Sequence, residues 1–288
     1  MSTVNEIRQK INSVSQLKQM SDAMYLISVS RLRSALQGME HSFRYIDSLR
    51  SVMSDLLHVT NGAGIKNYYL AIDDSGTSLF LPVMSDKGLC GDYNTDIASL
   101  TAEEMKKRPG AKLYGLGTLG KEKLLSRGLT PDKVIPGSSM HPSIHLARTI
   151  AKELTDMYNT KEVNEVYVVY TPYSKGEKKP VSFRLLPLLK EDFTDVADNE
   201  QPRELLFEPS AQEVLDTVVP MYCTGMIYEM LLQSSASENS ARMTAMQTAG
   251  SSADEKITQL QNDMNAARQL SITNEITEIA AAKSVQGI

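Results

Sequence analysis

Two stretches at opposite ends of the chain, residues 3–57 and 210–282, each sustain a helical apolar pattern over most of their length. In the first, Val4, Ile7, Ile11, Val14, Leu17, Met20, Met24 and Ile27 lead into Leu32, Ala35, Met39, Phe43, Ile46, Leu49, Met53 and Leu56, with no proline and only Gly38 as an interruption. Such a helix would be roughly 80 Å long, too long for one ordinary core. The second carries Leu215, Val218, Ile227, Leu231, Met243, Met246, Ile257, Leu260, Met264, Ala267, Ile276 and Ile279, a helix of roughly 110 Å, and Pro220 predicts a kink in it. Each stretch opens on a capping box, Thr3-Val4-Asn5-Glu6 and, after Pro209, Ser210-Ala211-Gln212-Glu213. A chain that leaves on one long helix and returns on another predicts an antiparallel two-helix coiled coil with the intervening segment inserted between its arms.

The residue choice in the second helix adds to its period. The run SSASENSARMTAMQTAGSSA, residues 234–253, is dominated by small side chains that let two helix axes approach closely. Met243, Met246 and Ala249 keep helical spacing within it, so the run reads as helix and not as a flexible linker. The middle segment, residues 66–205, alternates strand-like and helix-like stretches. Residues 68–72, 79–83, 112–116, 163–170 and 181–188 read as strands, and 92–107, 119–127 and 143–158 as helices, with a turn over 174–179. Strands separated by helices of this length predict a small, mainly parallel sheet. The expected division is therefore a helix over 1–60, an α/β domain over 66–205 and a helix over 209–286.

Composition excludes several classes. A chain of 288 residues with 41% hydrophobic content and a formal net charge of −5 argues against nucleic acid as a partner. No apolar run reaches the ~18 residues of a membrane span, so no direct span is expected, and the N-terminus enters a helix without a signal or transit pattern. The two cysteines, Cys90 and Cys223, lack metal-ligand spacing and suit a reducing compartment as small buried hydrophobes.

Chemistry-bearing motifs are few. Gly115-Leu116-Gly117-Thr118-Leu119-Gly120 follows a strand and opens a helix, as a dinucleotide fingerprint does. The acidic ribose ligand expected about 20 residues later is missing, because residues 133–152 contain no Asp or Glu, and the motif is not in the first βα unit. It reads as a tight strand-to-helix turn that binds no dinucleotide. His141 and His145 are separated by Pro142 and do not form a metal pair, and Asp73-Asp74 and Glu103-Glu104 read as solvated charge. No phosphate-binding loop, nucleophile elbow or calcium loop is present. The chain is expected to be non-catalytic by itself, with no cofactor and no metal.

Ser85-Asp86-Lys87-Gly88-Leu89-Cys90-Gly91-Asp92-Tyr93-Asn94 resembles the SDRGLCGGFN signature of the gamma subunits of F-type ATP synthases. The resemblance extends to Ile7-Arg8, Ile11, Ser13-Val14 and Ala23-Met24 near one end, and to Glu208-Pro209-Ser210, Ser237-Glu238-Asn239-Ser240-Ala241-Arg242-Met243-Thr244-Ala245-Met246, Ala267-Arg268-Gln269, Ile272-Thr273 and Glu275-Ile276-Thr277-Glu278-Ile279 toward the other. Lys87 stands for the usual Arg, Asp92 for a Gly, and residues 16–22 depart from the family's NTxKITxA stretch.

The resemblance implies a small, mainly parallel Rossmann-like sheet domain inserted between coiled-coil helices, and a role as the central-stalk rotor. Its implied partners are the alpha and beta subunits of the catalytic hexamer, the epsilon subunit and the membrane c-ring. The implied place is the cytoplasmic face of a bacterial plasma membrane, as a peripheral protein. Rotor–stator contact is implied for Met20, Met24, Arg268, Gln269, Thr273 and Glu278, with Ser85, Asp86, Lys87, Gly88, Leu89, Cys90 and Gly91 as the signature loop. Two other readings stay open: a free-standing coiled-coil scaffold, and a nucleotide-binding α/β protein using residues 115–120.

Overall fold

The computed structural model describes residues 4–62, 68–70, 76–116, 118–135, 141–174, 179–193, 208 and 210–285. Helix α1 spans Val4–Gly62 and α5 spans Ala211–Val285, 59 and 75 residues. Between them come β1 (Ser78–Pro82), α2 (Tyr93–Lys106), β2 (Lys112–Leu116), α3 (Thr118–Leu125), β3 (Lys133–Ile135), α4 (Ile144–Asn159), β4 (Glu165–Tyr170) and β5 (Val181–Leu186). Short 3-10 turns occupy Tyr68–Leu70 and Lys190–Phe193. Long helices at both ends thus flank a central, mainly parallel sheet.

Packing divides the chain into residues 29–241 and, separately, residues 1–28 with 242–288. In the larger unit the strand order is β3-β2-β1-β4-β5. The β1–β2, β1–β4 and β2–β3 pairs are parallel, and β4–β5 is antiparallel because a short connection cannot make a crossover. Every residue of β1 is buried, since both faces of the sheet are covered. One face packs with Ile46, Met53, Leu56 and Leu57 of α1, Ile150 and Leu154 of α4, and Leu215, Val219, Met230 and Leu231 of α5. The other packs with Tyr93 and Ile97 of α2 and Leu124 of α3 around Phe80, Leu113 and Val169. Each fully buried Leu or Met here contributes roughly 1.5–3 kcal/mol.

Within this unit α1 and α5 run antiparallel at close range. A Cβ on Gly38 would stand 2.8 Å from Leu232 Cδ2, and one on Gly225 would stand 3.0 Å from Leu49 Cδ1. Between these contacts the Ser42 hydroxyl donates to Glu229 Oε2 at 3.3 Å. In the other unit the pairing is again antiparallel: Lys18 Nζ meets Asp254 Oδ1 at 2.5 Å, and a Cβ on Gly250 would meet Asp22 Oδ1 at 3.3 Å. Ile7, Met246 and Leu260 are buried there.

The cap expected at residue 210 is formed, with the Glu213 amide donating to Ser210 Oγ at 3.2 Å. The cap expected at Thr3, and residues 175–178 of the turn expected over 174–179, lie outside the described residues. Helix α5 contains Pro220 without ending there. Three local expectations are corrected. Residues 68–70 form a 3-10 turn and not a strand: Tyr69 is buried, stacks on Tyr158 at 5.9 Å, and its carbonyl accepts from the Leu188 amide at 2.8 Å, so tertiary burial overrides strand propensity. The three-residue β3 appears where no strand was expected. Its register is set by Asp132, whose carboxylate accepts from the Leu113 amide at 2.7 Å while its own amide donates to the Leu113 carbonyl at 2.8 Å. Finally, β5 ends at Leu186, two residues before the expected end.

Candidate functional site

The loop joining β1 to α2, residues 83–92, is where the sequence motifs converge. Ser85 is fully buried at its base. The Ser85 amide donates to Asn94 Oδ1 at 2.8 Å, tying the loop to the first turn of α2. The Ser85 hydroxyl contacts the Lys87 carbonyl at 2.6 Å and accepts from the Lys87 amide at 3.1 Å, closing a tight turn. It also lies 2.9 Å from Glu238 Oε1 on α5. Cys90, 3% exposed, returns the chain to the core, with its Sγ 3.8 Å from the Lys87 carbonyl. Between these anchors the tip stands in solvent: Lys87 and Gly88 are exposed, and Leu89 is 56% exposed with φ of 63°. A left-handed leucine is rare, and Gly91 with φ of 61° completes the turn where glycine carries no steric penalty.

Opposite the loop, α5 is enclosed on every side. Ser234, Ser235, Ala236, Ser237, Glu238 and Asn239 are all buried. The small side chains of Ser234, Ser235, Ala236 and Ser237 suit close approach of neighbouring elements, and a stretch that looks like a linker by composition is helix throughout. The SDKGLCGDYN loop therefore packs against residues 237–241 of α5, the first half of the SENSARMTAM segment. Sequence reading singled out both without pairing them.

The other expected contact residues lie on the long helices. Met20 is 59% exposed and Met24 half-buried. Arg268, Gln269, Thr273 and Glu278 are exposed on α5, where the Thr273 hydroxyl donates to the Gln269 carbonyl at 2.9 Å. Arg268 forms no ion pair among the described residues, including with Asp263. Around them Leu270, Ile272, Ile276 and Ile279 are 43–69% exposed. Where α1 begins, Val4, Ile7 and Lys10 border an open groove of about 910 Å³ with Leu260, Asp263 and Leu270.

The glycine run at the β2–α3 junction has a packing explanation. A Cβ on Gly120 would stand 2.4 Å from Met84 Cβ, so α3 can seat against the end of β1 only with glycine there. A Cβ on Gly115 would be in ordinary contact with Val134 and Pro131, and Gly117 lies outside the described residues. No cluster of metal-binding side chains occurs among the described residues. Burial pushes the Cys223 thiol up to about 12, so it is inert as a nucleophile.

Residues 3–284 match the family model described as ATP synthase. The ATP synthase gamma chain of Caldanaerobacter subterraneus subsp. tengcongensis is 35% identical over 294 residues, covering 97% of this chain and 99% of that one. The ATP synthase gamma chain of Ruminiclostridium cellulolyticum is 32% identical over 290 residues, covering 98% of each. This chain belongs to the ATP synthase gamma family. Gamma chains are non-catalytic subunits of the ATP synthase complex. The fold is shared with solved chains of low identity. A chain of the Euglena gracilis mitochondrial ATP synthase superposes with a TM-score of 0.68 at 14% identity, covering 98% of this chain and 94% of that one. A chain from the Tetrahymena thermophila mitochondrial ATP synthase central stalk and c-ring gives 0.61 at 22% identity, covering 80% and 99%. Among the described residues no helix is long and apolar enough to cross a membrane.

Proposed function

We propose that this gamma chain is the rotating shaft that carries torque between a membrane c-ring and a catalytic ring of alpha and beta subunits, coupling proton or sodium flow to ATP synthesis or hydrolysis. The observation that carries this reading is the C-terminal stretch of α5, where Leu270, Ile272, Ile276 and Ile279 stand exposed on a helix. Apolar surface of this kind calls for a surrounding partner. A ring that encloses the helix would supply one. Arg268, Gln269, Thr273 and Glu278 interleave with these apolar residues, and Arg268 has its guanidinium available for a carboxylate. Met20 and Met24 offer adaptable side chains to a surface that changes as the shaft turns. The shaft then acts as a ligand whose differential contacts shift each catalytic site among its conformations.

In this reading residues 1–60 and 209–286 are the shaft, and residues 66–205 are the foot that meets the epsilon subunit and the c-ring. The protein is peripheral, held at the cytoplasmic face of a bacterial plasma membrane by those partners. The test is co-expression with the alpha, beta and epsilon subunits of the same source. A complex containing this chain, with ATP-driven ion transport in vesicles that also carry the membrane sector, is expected. Alpha and beta subunits that assemble and hydrolyse ATP identically with and without the chain would overturn the reading.

A further inference from the structure

We infer that Glu238 is a positioning residue that clamps the 85–91 loop to α5, so that the exposed tip at Leu89 turns with the helix without slack. The inference rests on the rotor reading for its purpose and on the geometry for its existence. Glu238 is fully buried, an expensive place for a carboxylate where an apolar side chain of similar size would pack as well. Its Oε1 is 2.9 Å from Ser85 Oγ. That same hydroxyl contacts both the amide and the carbonyl of Lys87, so a single oxygen joins the loop's own turn to the helix. The Ser85 amide is held in turn by Asn94 on α2.

Mechanically, the tip is a lever. A load applied at Leu89 can reach α5 along the covalent chain only by way of β1 or α2 and the sheet behind them. The Ser85–Glu238 contact bypasses that route through the hydroxyl's single proton, shared between Glu238 Oε1 and the Lys87 carbonyl, in a dry, stiff setting where such a bond is stronger than in water. Neighbouring Cys90 and Met84 are packed in the same buried cluster, against which Ala241 of α5 also rests, so the surroundings resist rotation of the loop about that bond. The left-handed Leu89 is then presented in one fixed attitude.

The experiment uses the assembled complex with the wild-type chain, Glu238→Ala, Glu238→Gln, Ser85→Ala and the Glu238→Ala/Ser85→Ala double variant. Hydrogen exchange of the Lys87 to Cys90 amides and the ratio of ions transported to ATP hydrolysed are both measured. Glu238→Ala is expected to raise loop exchange at least tenfold, with amides of β1 and α4 unchanged, and to lower the transport ratio more than the hydrolysis rate. Glu238→Gln, which keeps the acceptor oxygen, restores both. The double variant is no worse than Ser85→Ala, which already removes the bond lost in Glu238→Ala along with the Lys87 contacts of the same hydroxyl. Wild-type loop exchange in Ser85→Ala and Glu238→Ala, strictly additive effects, or a Gln variant as impaired as Ala would each overturn the clamp. A variant that does not assemble is read through Ser85→Ala, the smaller change. If the wild-type chain itself transports no ions, the rotor reading falls and takes the inference with it, whereas a working wild type beside an indifferent Glu238→Ala removes the inference alone.

Discussion

Asp92 stands where the resembling family carries glycine, and it leaves a trace in its neighbourhood. The Asp96 carboxyl is held above its ordinary value of 3.8, first by burial and then by the Asp92 carboxylate, with Arg127 opposing. A carboxyl raised in the folded state stabilises the fold fully below its unfolded value, and that contribution is lost as pH rises through the folded value. Asp92→Asn keeps the residue's place before α2 while removing the charge. It should raise the melting temperature at pH 7 and leave it unchanged near pH 3, and equal shifts at both would show that the two carboxylates do not interact. Gly120 makes a steeper prediction. With a Cβ placed 2.4 Å from Met84 Cβ, Gly120→Ala should destabilise by about 1–3 kcal/mol, read as a lowered denaturant midpoint. For Arg268, exposed and without an ion pair among the described residues, Arg268→Ala should leave the helical signal of the isolated chain intact. It should weaken assembly or coupled ATP turnover by about 1.5–3 kcal/mol. Arg268→Lys should rescue in part, because an ammonium cannot form a bidentate fork. Full assembly and turnover in Arg268→Ala would reduce the residue to a surface charge.

Elements differ in how legible they are, for physical reasons. The ends of α5 could be read because a proline, a serine and a glutamate mark the start and the apolar stripe then persists for many turns. Ser210→Ala removes the acceptor of the Glu213 amide and should destabilise by about 0.5–2 kcal/mol, visible as earlier melting of α5 amides in hydrogen exchange. Strand β2 and helix α4 were equally plain, the latter opening on Ser143, whose hydroxyl accepts from the Leu146 amide at 3.2 Å. Strand β3 was not, because three residues with Val134 39% exposed carry too short a pattern, and what secures them is pairing with β2 and the bond from the Leu113 amide to Asp132, a pair 19 positions apart. Tyr68–Leu70 misled because tyrosine favours strands on average, while the stacking of Tyr69 on Tyr158 is visible only in three dimensions. The candidate site shows the same limit. Both halves of the loop–helix junction stood out by resemblance, yet Ser85 and Glu238 are 153 residues apart and no spacing rule joins them.

At the scale of the molecule, the order of elements has consequences of its own. Within residues 29–241 the sheet is covered on one face by α1 and α5 together, so neither helix completes that core alone. A chain ending at residue 205 would leave Met53, Leu56 and Leu57 without their α5 neighbours Leu215, Val219 and Leu231. Such a fragment should aggregate or bind a hydrophobic dye, and residues 208–288 supplied separately should restore solubility; a soluble, monomeric, dye-free fragment would show that α1 folds unaided. The contact of Gly38 with Leu232 joins a helix made before the sheet domain with one made after it. At roughly 5–20 residues per second, the sheet domain takes on the order of ten seconds to emerge between them. For that interval the newborn α1 is an amphipathic helix waiting for a mate not yet translated, and every molecule must be sheltered through the wait or risk pairing with the α1 of a neighbour on the same messenger.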